Sequence, residues 1–201
     1  TSAFHAVEPK NWKEARRSNM WEGWQKAEHT ELKTIWDMET FEIVDTPPGV
    51  IPLPSQLVYK VKRDKYGEIA RLKARLVACG NFQSPWEYHD TYSPTARFSA
   101  LRTITAIATQ ENLDLFAFDV EGAFMTSYLD TDVYMSLPPG YSLPPGKTIK
   151  LRKSLYGLKQ SSNLYFANIT RWLHAYGFQE VSPDGCVFKL QRGEEKLILS
   201  L

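Results

Sequence analysis

Trp21, Trp24, Glu28, Leu32 and Ile35 fall at helical spacing with strong helix formers between them, so residues 10–35 are predicted as one amphipathic helix. A short strand is predicted next, at residues 41–44. Thr46-Pro47-Pro48-Gly49 and Ile51-Pro52-Leu53-Pro54 fix too many φ angles for regular structure and mark a connector. Residues 57–63 and 69–78 are rich in strand formers on either side of Asp64-Lys65-Tyr66-Gly67, which predicts a hairpin with Gly67 at positive φ. In its second arm Arg71, Lys73 and Arg75 alternate with Leu72, Ala74 and Leu76. One face of that strand is therefore cationic and the other packs.

A helix is predicted from a cap near Ser99 through Leu101, Ile104 and Ala108 to about Asn112. Residues 113–124 are apolar on both alternation faces as far as Gly122, the pattern of a central strand. Short strands follow at 133–135 and 149–151, with Pro138-Pro139-Gly140 and Pro144-Pro145-Gly146 between them. Ser161 or Ser162 can cap a helix running to Tyr176, with Gly177 as its stop. A last hairpin pairs 186–190 with 196–201 around Arg192-Gly193. This mixed order argues for an α+β fold, an antiparallel sheet flanked by helices, rather than a doubly wound sheet.

Composition narrows the class. The 201 residues are 43% hydrophobic, 13% aromatic and 23% charged, which excludes a disordered tail, a collagen-like repeat and a disulfide-stapled mini-protein. No run approaches the ~18 apolar residues of a membrane span, so no membrane partner is expected. Thr1 in place of Met reads as an excised piece. Cys79 and Cys186 lie far apart with no C-x-x-C pair, which points to free thiols, and His5, His29, His89 and His174 are scattered, which points to structural roles.

The net charge of +1 conceals a polarised distribution. Residues 58–83 carry Lys60, Lys62, Arg63, Lys65, Arg71, Lys73 and Arg75 against Asp64 and Glu68, a balance of +5. Residues 111–146 hold six acids and no base, and residues 147–175 six bases and no acid. Basic segments around an acidic one suit a site that holds a polyanion and cations together, because phosphates need Lys or Arg and divalent metals need carboxylates. Scattered solvated charge gives the same counts.

Asp119 is the most informative residue, since a carboxylate in a strand apolar on both faces is costly to bury unless paired or bound to metal. An Asp at the exposed strand end, bonded to a backbone amide, is the plainer reading. Phe124 follows the small turn Gly122-Ala123 and either walls a pocket beside that carboxylate or packs as core. Arg71, Lys73 and Arg75 form a phosphate clamp or a solvated hairpin face. Leu155-Tyr156-Gly157-Leu158-Lys159-Gln160 offers close backbone approach at Gly157 and polar groups ahead of a helix N-terminus.

Taken together, Leu57-Val58-Tyr59-Lys60-Val61-Lys62-Arg63-Asp64, Lys73-Ala74-Arg75-Leu76-Val77-Ala78-Cys79-Gly80, Thr91-Tyr92-Ser93-Pro94, Asp119-Val120-Glu121-Gly122-Ala123-Phe124, Val133-Tyr134-Met135 and Ser154-Leu155-Tyr156-Gly157-Leu158-Lys159-Gln160 resemble the reverse transcriptase of copia-type LTR retrotransposons, in order and spacing from about Trp12 onward. The resemblance implies right-hand polymerase fingers and a partial palm. Residues 1–50 would be an N-terminal extension, 51–112 the fingers-like hairpin and helix, and 113–201 the partial palm. It implies template-directed addition of deoxynucleoside triphosphates (dNTPs) to a primer on an RNA or DNA template.

By the same resemblance Asp119 is the first catalytic aspartate and, with the Val120 carbonyl, a ligand of two Mg2+ or Mn2+ ions. Phe124 is the gate against a 2′-hydroxyl. Lys73 and Arg75 hold the triphosphate, although spacing alone does not fix which alternating bases do so. Gly157 and Gln160 lie beside the nucleotide, and Lys60, Lys62, Arg63, Arg71 and Lys159 contact nucleic acid. The rest of the Pol polyprotein is an implied partner, and cytoplasmic virus-like particles with nuclear delivery the implied location.

One departure stands out. In the family a hairpin strand like residues 196–201 leads into an aromatic-x-Asp-Asp turn with the other catalytic aspartates, and these 201 residues do not contain it; Asp130, Asp132 and Asp184 are not placed to substitute. The isolated chain is expected to polymerise little or not at all. A non-catalytic nucleic-acid-binding relic of the same fold is the alternative, and the apolar strand at 197–201 is expected to be an aggregation-prone edge.

Overall fold

The computed structural model describes residues 7–201; His5 lies outside them. In place of one N-terminal helix there are two, α1 (Trp12–Arg17) and α2 (Trp21–Asp37). The break is at Ser18, whose backbone is extended and whose amide and hydroxyl both donate to the Ala15 carbonyl, a local bond that competes with helix continuation. The predicted stripe is correct within α2: Trp24, Glu28 and Ile35 are buried. Glu28 is tolerated there because its carboxylate accepts from the Tyr59 hydroxyl at 2.6 Å and the Tyr141 hydroxyl at 2.9 Å.

Strand β1 (Phe41–Asp45) pairs antiparallel with β5 (Lys147–Lys153), which pairs in turn with β4 (Tyr128–Met135), giving the order β1-β5-β4. The hairpin forms as expected from β2 (Ser55–Arg63) and β3 (Ile69–Ala78), with Gly67 at φ 84° and the Asp64 carboxylate accepting the amides of Tyr66 and Glu68. The connector has no regular strand, and Leu53 within it exchanges backbone hydrogen bonds with Tyr134 and Ser136. Helix α2 lies along β3, and the Trp24 ring meets Tyr59 edge-on at 5.3 Å. One apolar core runs from Ala15, Trp24 and Ile35 through Leu57, Tyr59 and Leu76 to Met135, Ile149 and Leu151.

A second, smaller core joins α4 (Ser161–Tyr176) to a sheet of order β6-β7-β8, with β6 (Gln179–Glu180), β7 (Val187–Arg192) and β8 (Glu195–Ser200). Strand β8 is an edge of that sheet. Gly177 ends α4 at φ 106° as predicted, but neither serine caps its start. Ser161 is the first helical residue; its buried hydroxyl donates to the Leu155 carbonyl and accepts from Ser154. Likewise α3 (Phe98–Gln110) starts after Arg97, without a side-chain cap at Ser99. Both cysteines are free, and burial raises both thiol pKa values.

The largest departure is at residues 113–120, predicted as a central strand and found as exposed chain without strand pairing. Phe116 and Phe118 are 76% and 88% exposed. A strand apolar on both faces needs hydrogen-bonding neighbours and cover on each side, and among the described residues no strand pairs with this one. Order resumes at Gly122, whose φ of 63° turns the chain into a short 3-10 helix, Ala123–Thr126. Among the described residues no helix is long and apolar enough to cross a membrane.

Candidate active site

A cleft of about 650 Å³ opens between α2, the outer edge of β3, the turn at 119–122 and Tyr156. It brings together five residues singled out from sequence: Arg71, Lys73, Arg75, Asp119 and Val120. The hairpin supplies the cations. Because β2 and β3 pair Lys60 with Lys73 and Lys62 with Arg71, these four side chains share one sheet face with Arg75. No salt bridge within the described residues engages Arg71, Lys73 or Arg75, whereas Lys60 pairs with Glu8 at 2.6 Å and thereby lowers that carboxyl's pKa. Arg63 turns back to donate to the Gly67 carbonyl.

Asp119 is exposed, not buried in a strand, so the argument from buried charge does not hold for it. Its charge is felt nearby: the Tyr165 hydroxyl pKa is raised by burial first and by Asp119 second. Phe124 does not line the cleft but stands behind it, edge-on to Tyr156 at 4.7 Å and to Tyr165 at 6.2 Å. The Arg75 guanidinium lies over the other member of that group, 4.9 Å from the Tyr156 ring centre.

Gly157 holds this arrangement from below. At φ 93° it lies so close to β3 that a Cβ would sit 2.1 Å from the Ala78 carbonyl oxygen, while the Ala78 amide donates to the Tyr156 carbonyl. Gln160 is buried and faces away from the cleft, donating to the Glu87 carbonyl and accepting from Gln83. Lys159 reaches the Tyr88 hydroxyl at 3.2 Å and lies 4.4 Å over that ring. These two residues fasten the loop after β3 to the start of α4.

Sequence reasoning treated the N-terminal helix as architecture, yet α2 forms a cleft wall with Lys26, Thr30 and Glu31. Glu31 accepts the Leu76 amide at 3.1 Å, on the β3 edge that β2 leaves unpaired, and desolvation raises its pKa against the pull of Lys73 and Arg75. An acid flanking the apolar stripe was the only sequence signal for it. Tyr156 was visible inside its motif but had no role assigned.

Residues 38–201 match the reverse transcriptase (RNA-dependent DNA polymerase) family. The chain belongs to that family. Among curated relatives it is 33% identical over 177 residues to the retrovirus-related Pol polyprotein from transposon RE1 of Arabidopsis thaliana, covering 86% of this chain and 12% of that protein. It is 30% identical to the corresponding polyprotein from transposon TNT 1-94 of Nicotiana tabacum, over 88% of this chain and 14% of that one. With the RE2 polyprotein of Arabidopsis thaliana it shares 31% identity over 96% of its own length and 13% of the relative's. The chain thus spans about an eighth of the curated relatives it matches.

Reverse transcriptases use divalent metal ions, and the donor set here can be tested for fit. Among the described residues no group of three or more His, Cys, Asp or Glu side chains could hold a metal ion. Asp119 offers one carboxylate and Val120 one carbonyl, a partial donor set, since Mg2+ is held by one or two carboxylates together with waters and substrate phosphates. These residues do not by themselves make a metal centre, and no catalytic step is derived through one.

Proposed function

We propose that this chain is the fingers and partial palm of a copia-type reverse transcriptase, with the β2–β3 hairpin as fingers, residues 113–201 as palm, and the dNTP bound in the cleft between α2, β3 and the 119–122 turn. The observation that carries this reading is the convergence of Arg71, Lys73 and Arg75 with Asp119 in one cleft. Three cations on one strand face neutralise a triphosphate, and guanidinium forks orient its oxygens in pairs. Asp119 lines the same space, where a carboxylate can contribute to a metal site completed by donors outside these residues. The wider basic hairpin face, with Lys60, Lys62 and Arg63, contacts template or primer phosphates, and the rest of a Pol polyprotein is the natural partner.

In a polymerase that contains this segment, Asp119→Asn abolishes primer extension while template–primer binding survives. Retained normal turnover would refute the assignment. Isolated, the 201 residues give no measurable magnesium-dependent extension under this reading. A second reading, a nucleic-acid-binding module without catalysis, draws on the shared cationic face of Lys60, Lys62, Arg71, Lys73 and Arg75. It predicts salt-sensitive binding that Asp119→Asn leaves unchanged, with no primer extension by either form.

A further inference from the structure

Tyr156 occupies a position that neither the cleft's charge nor its packing alone explains. Its ring is half-buried, lines the cleft, and touches two residues with different proposed tasks: the Arg75 guanidinium at 4.9 Å and the Phe124 ring at 4.7 Å. The backbone beneath it cannot drift. Leu155 is buried, the Tyr156 carbonyl accepts the Ala78 amide at 2.8 Å, and Gly157 is pressed against β3. An exposed arginine samples many rotamers, and ordering it on binding costs affinity. A cation over a ring face is restrained by the quadrupole, while its N–H donors, which lie in the guanidinium plane, stay available to phosphate.

Resting on the reading of the cleft as a dNTP site, we infer that Tyr156 is a positioning residue that presents Arg75 to the triphosphate and at the same time fixes Phe124. The ring couples the two. The Arg75 guanidinium lies over Tyr156, Tyr156 packs edge-on against Phe124, and Phe124 packs edge-on against Tyr165 at 6.2 Å, so a triphosphate that holds Arg75 in place also steadies the aromatic group behind the cleft.

Calorimetric titration of the 201-residue chain with dATP tests this. Tyr156→Phe keeps the ring and is expected to bind dATP within about twofold of wild type. Tyr156→Leu is expected to bind it about fivefold to tenfold more weakly. Arg75→Gln weakens binding as well, and the double variant is no weaker than Arg75→Gln alone, because the tyrosine acts through the arginine. In the wild-type chain the Arg75 side-chain proton resonances are expected to lie upfield of those of a free arginine because the Tyr156 ring shields them, a readout that needs no variant to fold, and unshifted resonances overturn the inference. Equal dATP affinity in Tyr156→Leu and wild type, or strictly additive losses in the double variant, overturns the inference and leaves the dNTP site standing. Absence of dATP binding by the wild-type chain overturns both.

Discussion

The cation wall of the cleft rests on paired strands, whereas the carboxylate wall rests on chain that no strand pairs with among the described residues. Arg71, Lys73 and Arg75 extend from β3, whose register with β2 is continuous from Ser55–Ala78 to Lys62–Arg71 and whose outer edge is covered by α2. Asp119 and Val120 extend from residues 113–120, where Leu115, Phe116 and Phe118 face solvent. The lesson is physical. A hairpin is a local solution: its turn, its ladder and one packing face are supplied within 24 residues and one helix, so it can form as soon as α2 covers it. A central strand depends on neighbours at both edges and cover on both faces, and its pattern remains unfulfilled until all of them are present. The backbone carrying the cations is held by strand pairing and that carrying Asp119 is not.

Removing the cover from the cation wall is the strongest way to break this contrast. Trp24 is buried between α2 and the hairpin, so Trp24→Ala is expected to lower unfolding free energy by about 3–5 kcal/mol in urea, with β3 amide protection falling while residues 113–120 exchange as before. Glu28→Ala strands two tyrosine hydroxyls and is expected to cost about 2–4 kcal/mol by the same measurement, with Glu28→Gln recovering part of it because the amide oxygen still accepts. The same pair sets an alkaline limit. Burial first, and then Glu28, raise the pKa of Tyr59 and Tyr141 above the ordinary 10.0. Their neutral forms are favoured in the folded state, so this contribution to stability is complete below about pH 10 and is lost as the pH rises above it, where the unfolded tyrosines ionise. Denaturant midpoints across that range show it.

How far the sequence carried follows the same division. The hairpin, its turn at Gly67, the alternation at Arg71, Lys73 and Arg75, and the α4 stop at Gly177 were legible because each is encoded by residues adjacent in the chain. Three features were not. Ser18 ends α1 through a bond to its own turn, which spacing of apolar residues cannot show. The 113–120 pattern specifies a strand whose partners lie elsewhere. Glu31 entered the site only because α2 packs along β3, a tertiary fact. The family resemblance singled out Asp119, Lys73 and Arg75, which line one cleft; geometry added Tyr156 and showed Gln160 fastening the loop at Gln83 and Glu87.

Gly157→Ala sharpens the comparison more gently. The added methyl meets the Ala78 carbonyl at a φ that L-residues avoid, so the β3 end and Tyr156 shift, with an expected loss of about 1–3 kcal/mol in thermal unfolding. Least of all, Lys60→Ala removes an exposed ion pair with Glu8 and is expected to cost less than about 1 kcal/mol, with the difference vanishing in high salt.

Amide hydrogen exchange on the 201-residue chain, read residue by residue across β3 and across 113–120, tests the unequal walls most directly. The account predicts that amides of β3 paired with β2 exchange orders of magnitude more slowly than those of Leu115, Phe116, Phe118 and Asp119, which exchange at close to the rate of unstructured chain. Comparable protection in the two segments would contradict it, because residues 113–120 would then already be paired and Asp119 as firmly placed as the cations it faces.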